Sequence, residues 1–160
     1  MIQAVKSPQP DLTLHGTVRR SERPTVCQVI HALGVGGAEV LVDRMVRRMS
    51  DEFRFVIGVL DDVGEIGHQL RADGFDVFEL HRRPGIDRQC ARRLRSIADR
   101  HQAAILHTHQ CTPFFQGMLS RGLNGSRPVL LTEHGRHFPD LPGRKRMIVA
   151  CRISGKLPRI

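Results

Sequence analysis

The chain has 160 residues, 40% of them hydrophobic, a size and apolar content that fit one soluble globular domain with a real core and exclude a disordered chain. Lys and Arg number 25 against 16 Asp and Glu, and the resulting charge of +9 favours anionic partners such as nucleic acid, acidic lipid or phosphorylated small molecules. There is no Trp or Tyr to build a base-stacking platform, so no specific nucleic acid is expected.

Residues 1–24 are polar, Pro-containing and aperiodic, and read as a flexible tail. "TVCQVIHA", Thr25 to Ala32, is a short apolar and β-branched run bounded by Pro and Gly, the pattern of a buried strand. "GVGG", Gly34 to Gly37, follows, and then Leu41, Val42, Met45, Val46 and Met49 recur at helical spacing. "FRFVIGVL" reads as a second strand, "EIGHQLRAD" as a short helix ended by Gly74, and "DVFEL" as a third strand. Asp87 can cap a helix whose Ala91, Leu94, Ile97 and Ala98 form one apolar stripe, with Arg92, Arg93 and Arg95 facing solvent. "AAIL" before His107 is a fourth strand, Phe114, Phe115, Met118 and Leu119 mark a helix, "PVLLT" is a fifth strand, and a last helix starts after Pro142. Strands and helices alternating in this way predict an α/β, Rossmann-like parallel sheet with helices on both faces.

In such sheets ligands gather beyond the carboxyl ends of the strands, and three polar stretches fall there. The glycines Gly34, Gly36 and Gly37 open a helix whose free amides favour a phosphate or another oxyanion, or else they only make a tight turn. The dinucleotide fingerprint fails because Glu39 occupies its third glycine position, and no Gly-Lys-Ser/Thr follows to make a P-loop. "ILHTHQ" sends His107 and His109 to one side of the fourth strand, where His107 reads equally well as a buried histidine satisfied by backbone. "LTEHGRHF" sets Glu133, His134, Arg136 and His137 just past the fifth.

The ordered series "VIHALGVGGAEVLVDRMVRRM", "HTHQ" and "LLTEHGRHF" resembles the N-terminal, acceptor-side domain of family 4 glycosyltransferases of the GT-B class, over residues 25–147. That resemblance implies one half of a GT-B fold, whose other, C-terminal half holds a nucleotide-sugar donor. It also implies retaining sugar transfer without an obligatory metal or resident cofactor. The glycan, lipid or small-molecule acceptor would lie on this half. On this likeness Gly36 and Gly37 leave room for donor and acceptor, and His109 sits beside the transferred sugar as the catalytic candidate. His134, Gly135 and Arg136 lie near the cleft as binding residues. Residues 148–160, with Gly155 and Pro158, depart from the family pattern, and the expectation is a chain that lacks its donor domain and is inactive alone.

Two other classes are weighed beside it. A non-catalytic module for anionic partners would use the charge, and a His-ligated metal-dependent hydrolase would use His107, His109, His134 and His137, although the carboxylate and fourth-ligand spacings it needs are not evident. No stretch reaches the roughly 18–20 apolar residues of a membrane span, and residues 1–16 lack an apolar leader core. The cysteines Cys27, Cys90, Cys111 and Cys151 are scattered without a C-x-x-C pair. A cytoplasmic protein with reduced thiols is therefore expected, with room for peripheral contact at the inner, anionic face of the membrane.

Overall fold

The computed structural model describes residues 23–122 and 125–134. In chain order they form β1 (Thr25–Ala32), α1 (Gly37–Arg48), β2 (Arg54–Asp62), α2 (Gly64–Ala72), β3 (Asp76–Glu79), α3 (Arg88–Arg100), β4 (Ala103–His109), α4 (Cys111–Arg121) and β5 (Val129–Thr132). The strands make one sheet in the order β3-β2-β1-β4-β5, with every neighbouring pair parallel. This is the Rossmann-like α/β arrangement expected. The helix expected after Pro142 lies outside the described residues.

Burial on both faces explains why β1 and β2 read as continuous apolar runs rather than alternating ones. On one face Ile30, Phe55, Ile57, Val59 and Val77 pack with Val42 and Val46 of α1 and Ile66 and Leu70 of α2. On the other, Cys27, Val29, Leu60 and Leu106 meet Cys90, Leu94 and Ala98 of α3. Gly58 belongs to this second face. A Cβ there would stand 3.3 Å from Leu80 Cδ1 and 3.4 Å from Leu94 Cδ1, so its missing side chain brings α3 onto the sheet. Burial raises the thiol of Cys27 to about 12 and that of Cys90 to about 11, which makes both inert packing groups.

Asp87 caps α3 as its position suggests. One carboxylate oxygen accepts from the backbone N–H of Gln89 (2.8 Å) and Cys90 (3.0 Å), and the other from Arg83 N–H (2.9 Å). These bonds, led by that from Arg83, hold the carboxyl below its usual range. Two expectations need correction. Leu41 is 51% exposed, because α1 buries the arc of Ala38, Val42 and Val46, and Leu41 lies beside it. Arg93 is not a solvated charge, since its guanidinium donates to the carbonyl of Leu80 (2.7 Å) and ties α3 to the end of β3.

From β1 the chain steps outward through β2 and β3 with α1 and α2 on one face, then returns past β1 to β4 and β5 with α3 on the other. The direction of winding reverses between β1 and β4. In open α/β sheets the loops leaving two such strands diverge, and this switch point is where the fold places a ligand crevice.

Candidate functional site

The crevice is built first from the loop between β1 and α1. Gly36 is the N-cap of α1 in extended conformation (φ −157°, ψ 172°), and no side chain caps the helix. Neither Gly34, Gly36 nor Gly37 has positive φ, and a Cβ on Gly34 or Gly37 would meet nothing within 4 Å. Neither backbone conformation nor crowding inside the protein demands glycine at Gly34 or Gly37. At Gly36 the atoms nearest to an added Cβ belong to the flexible end of the Glu39 side chain, whose carboxylate leans back over the positive start of α1.

The glycine that the fold does demand is Gly64, at the start of α2, which the motif search overlooks. It has φ +57°, and a Cβ there would lie 2.5 Å from Gly34 N and 2.6 Å from the carbonyl carbon and oxygen of Leu33. The first turn of α2 grips the loop at that point, because the N–H groups of Ile66 (3.0 Å) and Gly67 (3.3 Å) both donate to the Leu33 carbonyl. Four helices thus begin at the carboxyl edge of the sheet, and their amides are used differently. Those of α3 are taken by Asp87 and those of α2 by Leu33, whereas those of α1 and α4 receive no side-chain cap, and only α1 is entered through a run of glycines.

Across the switch, β4 and β5 bring the histidines together. His107 and His109 share the α1 side of β4, with ring centroids 4.5 Å apart, and His134, just past β5, stacks on His109 at 4.9 Å. His109 Nδ1 lies 2.7 Å from His134 Nε2, and its Nε2 lies 2.8 Å from Gln28 Oε1 on β1. His107 Nε2 sits 2.8 Å from the Thr132 hydroxyl, so His107 is a half-buried histidine partnered by a side chain and not by backbone, and the buried histidine of the pair is His109. Between β4 and α4, Gln110 takes φ 72° and ψ 171°, a conformation costing a non-glycine residue roughly 1–3 kcal/mol. Its N–H donates to the Thr132 carbonyl (2.9 Å), so β5 holds the strained turn in place.

Of the residues expected to form the site, Gly36, Gly37, His109 and His134 all lie at the carboxyl edge, on loops or strand ends flanking the switch. Gly135 and Arg136, with His137, fall outside the described residues. Gln28 is a residue that motif reading misses, although a glutamine interrupting the apolar run "TVCQVI" is itself a signal of a buried polar partner. A second missed cluster is His31, Asp61 and Arg82 at the ends of β1, β2 and after β3. Arg82 binds both carboxylate oxygens of Asp61 at 2.9 Å, and His31 Nδ1 lies 3.0 Å away. Burial opposes ionisation of Asp61, but the bonds from Arg82 and His31 outweigh it and lower the carboxyl.

His109 is 1% exposed, and burial first, then the charges of His107 and His134, push its pKa down to about 3 from 6.5. The unfolded chain binds this proton near 6.5 while the folded one resists it, so between these values the unfolded state carries more protons. The stability gained from keeping His109 neutral is complete above the unfolded value and is lost as pH falls towards the folded one. His107, lowered chiefly by burial, acts in the same direction. The urea midpoint is therefore expected to fall on going from about pH 7 to about pH 5, and His109→Gln to flatten that slope. A parent midpoint constant over this range would contradict the buried, neutral assignment.

A Rossmann-like sheet with an uncapped helix start on one side of its switch point and stacked imidazoles on the other defines an α/β domain of the kind that carries its ligand site at the carboxyl ends of the strands. Residues 35–154 match the family model of Glycosyltransferase Family 4, and the chain belongs to that family. No curated protein matches the chain. Among the described residues no group of three His, Cys, Asp or Glu side chains is arranged to hold a metal ion, and no helix is long and apolar enough to cross a membrane.

Proposed function

We propose that this domain is the acceptor-side half of a retaining GT-B glycosyltransferase, which binds the diphosphate of a nucleotide sugar at the start of α1 and the transferred sugar beside His109. The observation that carries the reading is the contrast among the glycines. Gly64 is required by the fold, whereas Gly34 and Gly37 are required by neither conformation nor packing, so their bareness is explained by something that approaches from outside. The uncapped α1 terminus makes that something an anion, and a diphosphate takes the place where the Glu39 carboxylate now leans. A second, donor-holding domain supplies the rest of the nucleotide-sugar contacts, and no step calls for a resident cofactor. The acceptor is a glycan, a lipid or a small molecule, and the +9 charge suits one presented at an anionic surface in the cytoplasm.

The test is amide NMR on the protein titrated with uridine, guanosine and adenosine diphosphates. Shifts are expected to concentrate at Gly36, Gly37 and Ala38. Gly37→Val should weaken binding roughly tenfold or more, about 1.4 kcal/mol, with the unfolding midpoint nearly unchanged because the space at that Cβ is empty. Parent-like binding by a folded Gly37→Val protein would remove the loop from the site.

A further inference from the structure

We propose that Gln28 is a positioning residue that fixes the tautomer of His109, so that this ring meets a ligand as a hydrogen-bond acceptor and not as a donor. Gln28 lies in the middle of β1 and is 1% exposed, where an amide without partners is costly. In the parallel register it stands opposite His107, and the alternation of the strands puts it on the same face as His107 and His109. Its side chain spans the two-residue offset along β4, bringing Oε1 to 2.8 Å from His109 Nε2. An amide oxygen only accepts, so the nitrogen facing it carries the hydrogen. A neutral imidazole has one N–H, and committing it to Gln28 leaves Nδ1 bare.

The consequence passes to the next ring. His134 Nε2, 2.7 Å from that bare Nδ1, must itself carry a hydrogen, so the bonds run with one polarity from His134 to His109 to Gln28. A single buried glutamine thereby sets the protonation pattern of two histidines. A ligand that displaces His134 from Nδ1 must donate to it. A hydroxyl can do so, whereas a phosphate or carboxylate oxygen cannot. The two sides of the crevice then take opposite chemistry, an anion at the α1 amides and a hydroxyl at His109. This inference rests on the glycosyl-transfer reading only in taking that hydroxyl to be a sugar's.

The experiment is a two-bond proton–nitrogen correlation spectrum of the chain labelled with 15N at histidine, recorded near neutral pH, with His109 assigned by its loss in His109→Gln. The parent is expected to show His109 in the Nε2–H form alone, with Nδ1 resonating as a bare, pyridine-type nitrogen. Gln28→Glu, which offers another acceptor, should keep that pattern. Gln28→Leu removes the acceptor, and a buried unpaired N–H is the worse state, so the Nδ1 resonance should move to the protonated, pyrrole-type position as the ring turns to donate to His134. The proposal is overturned by an Nδ1–H form in the parent or in Gln28→Glu, or by a parent-like spectrum in folded Gln28→Leu. The first two spectra decide it even where Gln28→Leu fails to fold. Failure of the transferase reading looks different, since nucleoside diphosphates would then leave the α1 amides unmoved while the histidine tautomer stays as described.

Discussion

Gly64→Ala is expected to destabilise the domain by roughly 2–5 kcal/mol, combining about 1–2 for a side chain in left-handed conformation with about 1–3 for overpacking. The left-handed contribution follows from φ +57°. The packing contribution follows from a Cβ built 2.5–2.6 Å from Gly34 N and the Leu33 carbonyl, which are backbone atoms that no rotamer change can clear. Relief requires the loop and α2 to separate, which stretches the two bonds that Ile66 and Gly67 donate to Leu33. Against a typical stability of about 5–15 kcal/mol this is a large fraction of the whole. Gly37→Ala, three residues along the gripped loop, should change stability by less than about 0.5 kcal/mol, because nothing lies within reach of its Cβ. Urea unfolding of the two variants side by side measures the difference, and equal midpoints would mean that α2 does not hold the loop.

The same pair of glycines shows what sequence reading can and cannot see here. "GVGG" stands out because three glycines fall in four positions, yet density says nothing about which glycine the backbone needs. That depends on φ and on a contact between Leu33 and Gly64, about thirty positions apart in the chain. The succession of strands and helices is legible because short continuous apolar runs give way to an apolar period of 3.6 at each loop, and β1 runs over the same residues in sequence and structure. Asp87 is legible as a cap because its bonds to Gln89 and Cys90 are local. Gln28 is not legible as a partner of His109, since the parallel pairing that joins them spans 81 positions. Nor is the division between the two β4 histidines. His107 and His109 look equivalent in "HTHQ", and only the positions of Thr132, Gln28 and His134 give one an ordinary structural bond and the other a place in the stacked series.

That division leads to the largest expected effect on activity. In a transfer assay on the full protein, His109→Ala should lower kcat by on the order of 10²–10³, with a smaller change in KM, as the loss of one preorganised polar group at a reacting sugar does. Preorganisation is the reason for the size. The imidazole is held by Gln28 beneath and His107 and His134 alongside, and its depressed pKa keeps it neutral, so it needs no reorientation or proton loss before it engages a hydroxyl. His107→Ala removes a bond to Thr132 and part of a stack, so it should act mainly on stability and leave kcat of the folded enzyme within about tenfold of the parent. The contrast separates a role at the sugar from a role in holding β4 to β5. Both substitutions empty space beneath the crevice, and unfolding curves recorded on the same samples correct each rate for the folded fraction. Parent-rate transfer by His109→Ala together with a large loss in His107→Ala would exchange the two assignments and move the sugar site one step down the strand.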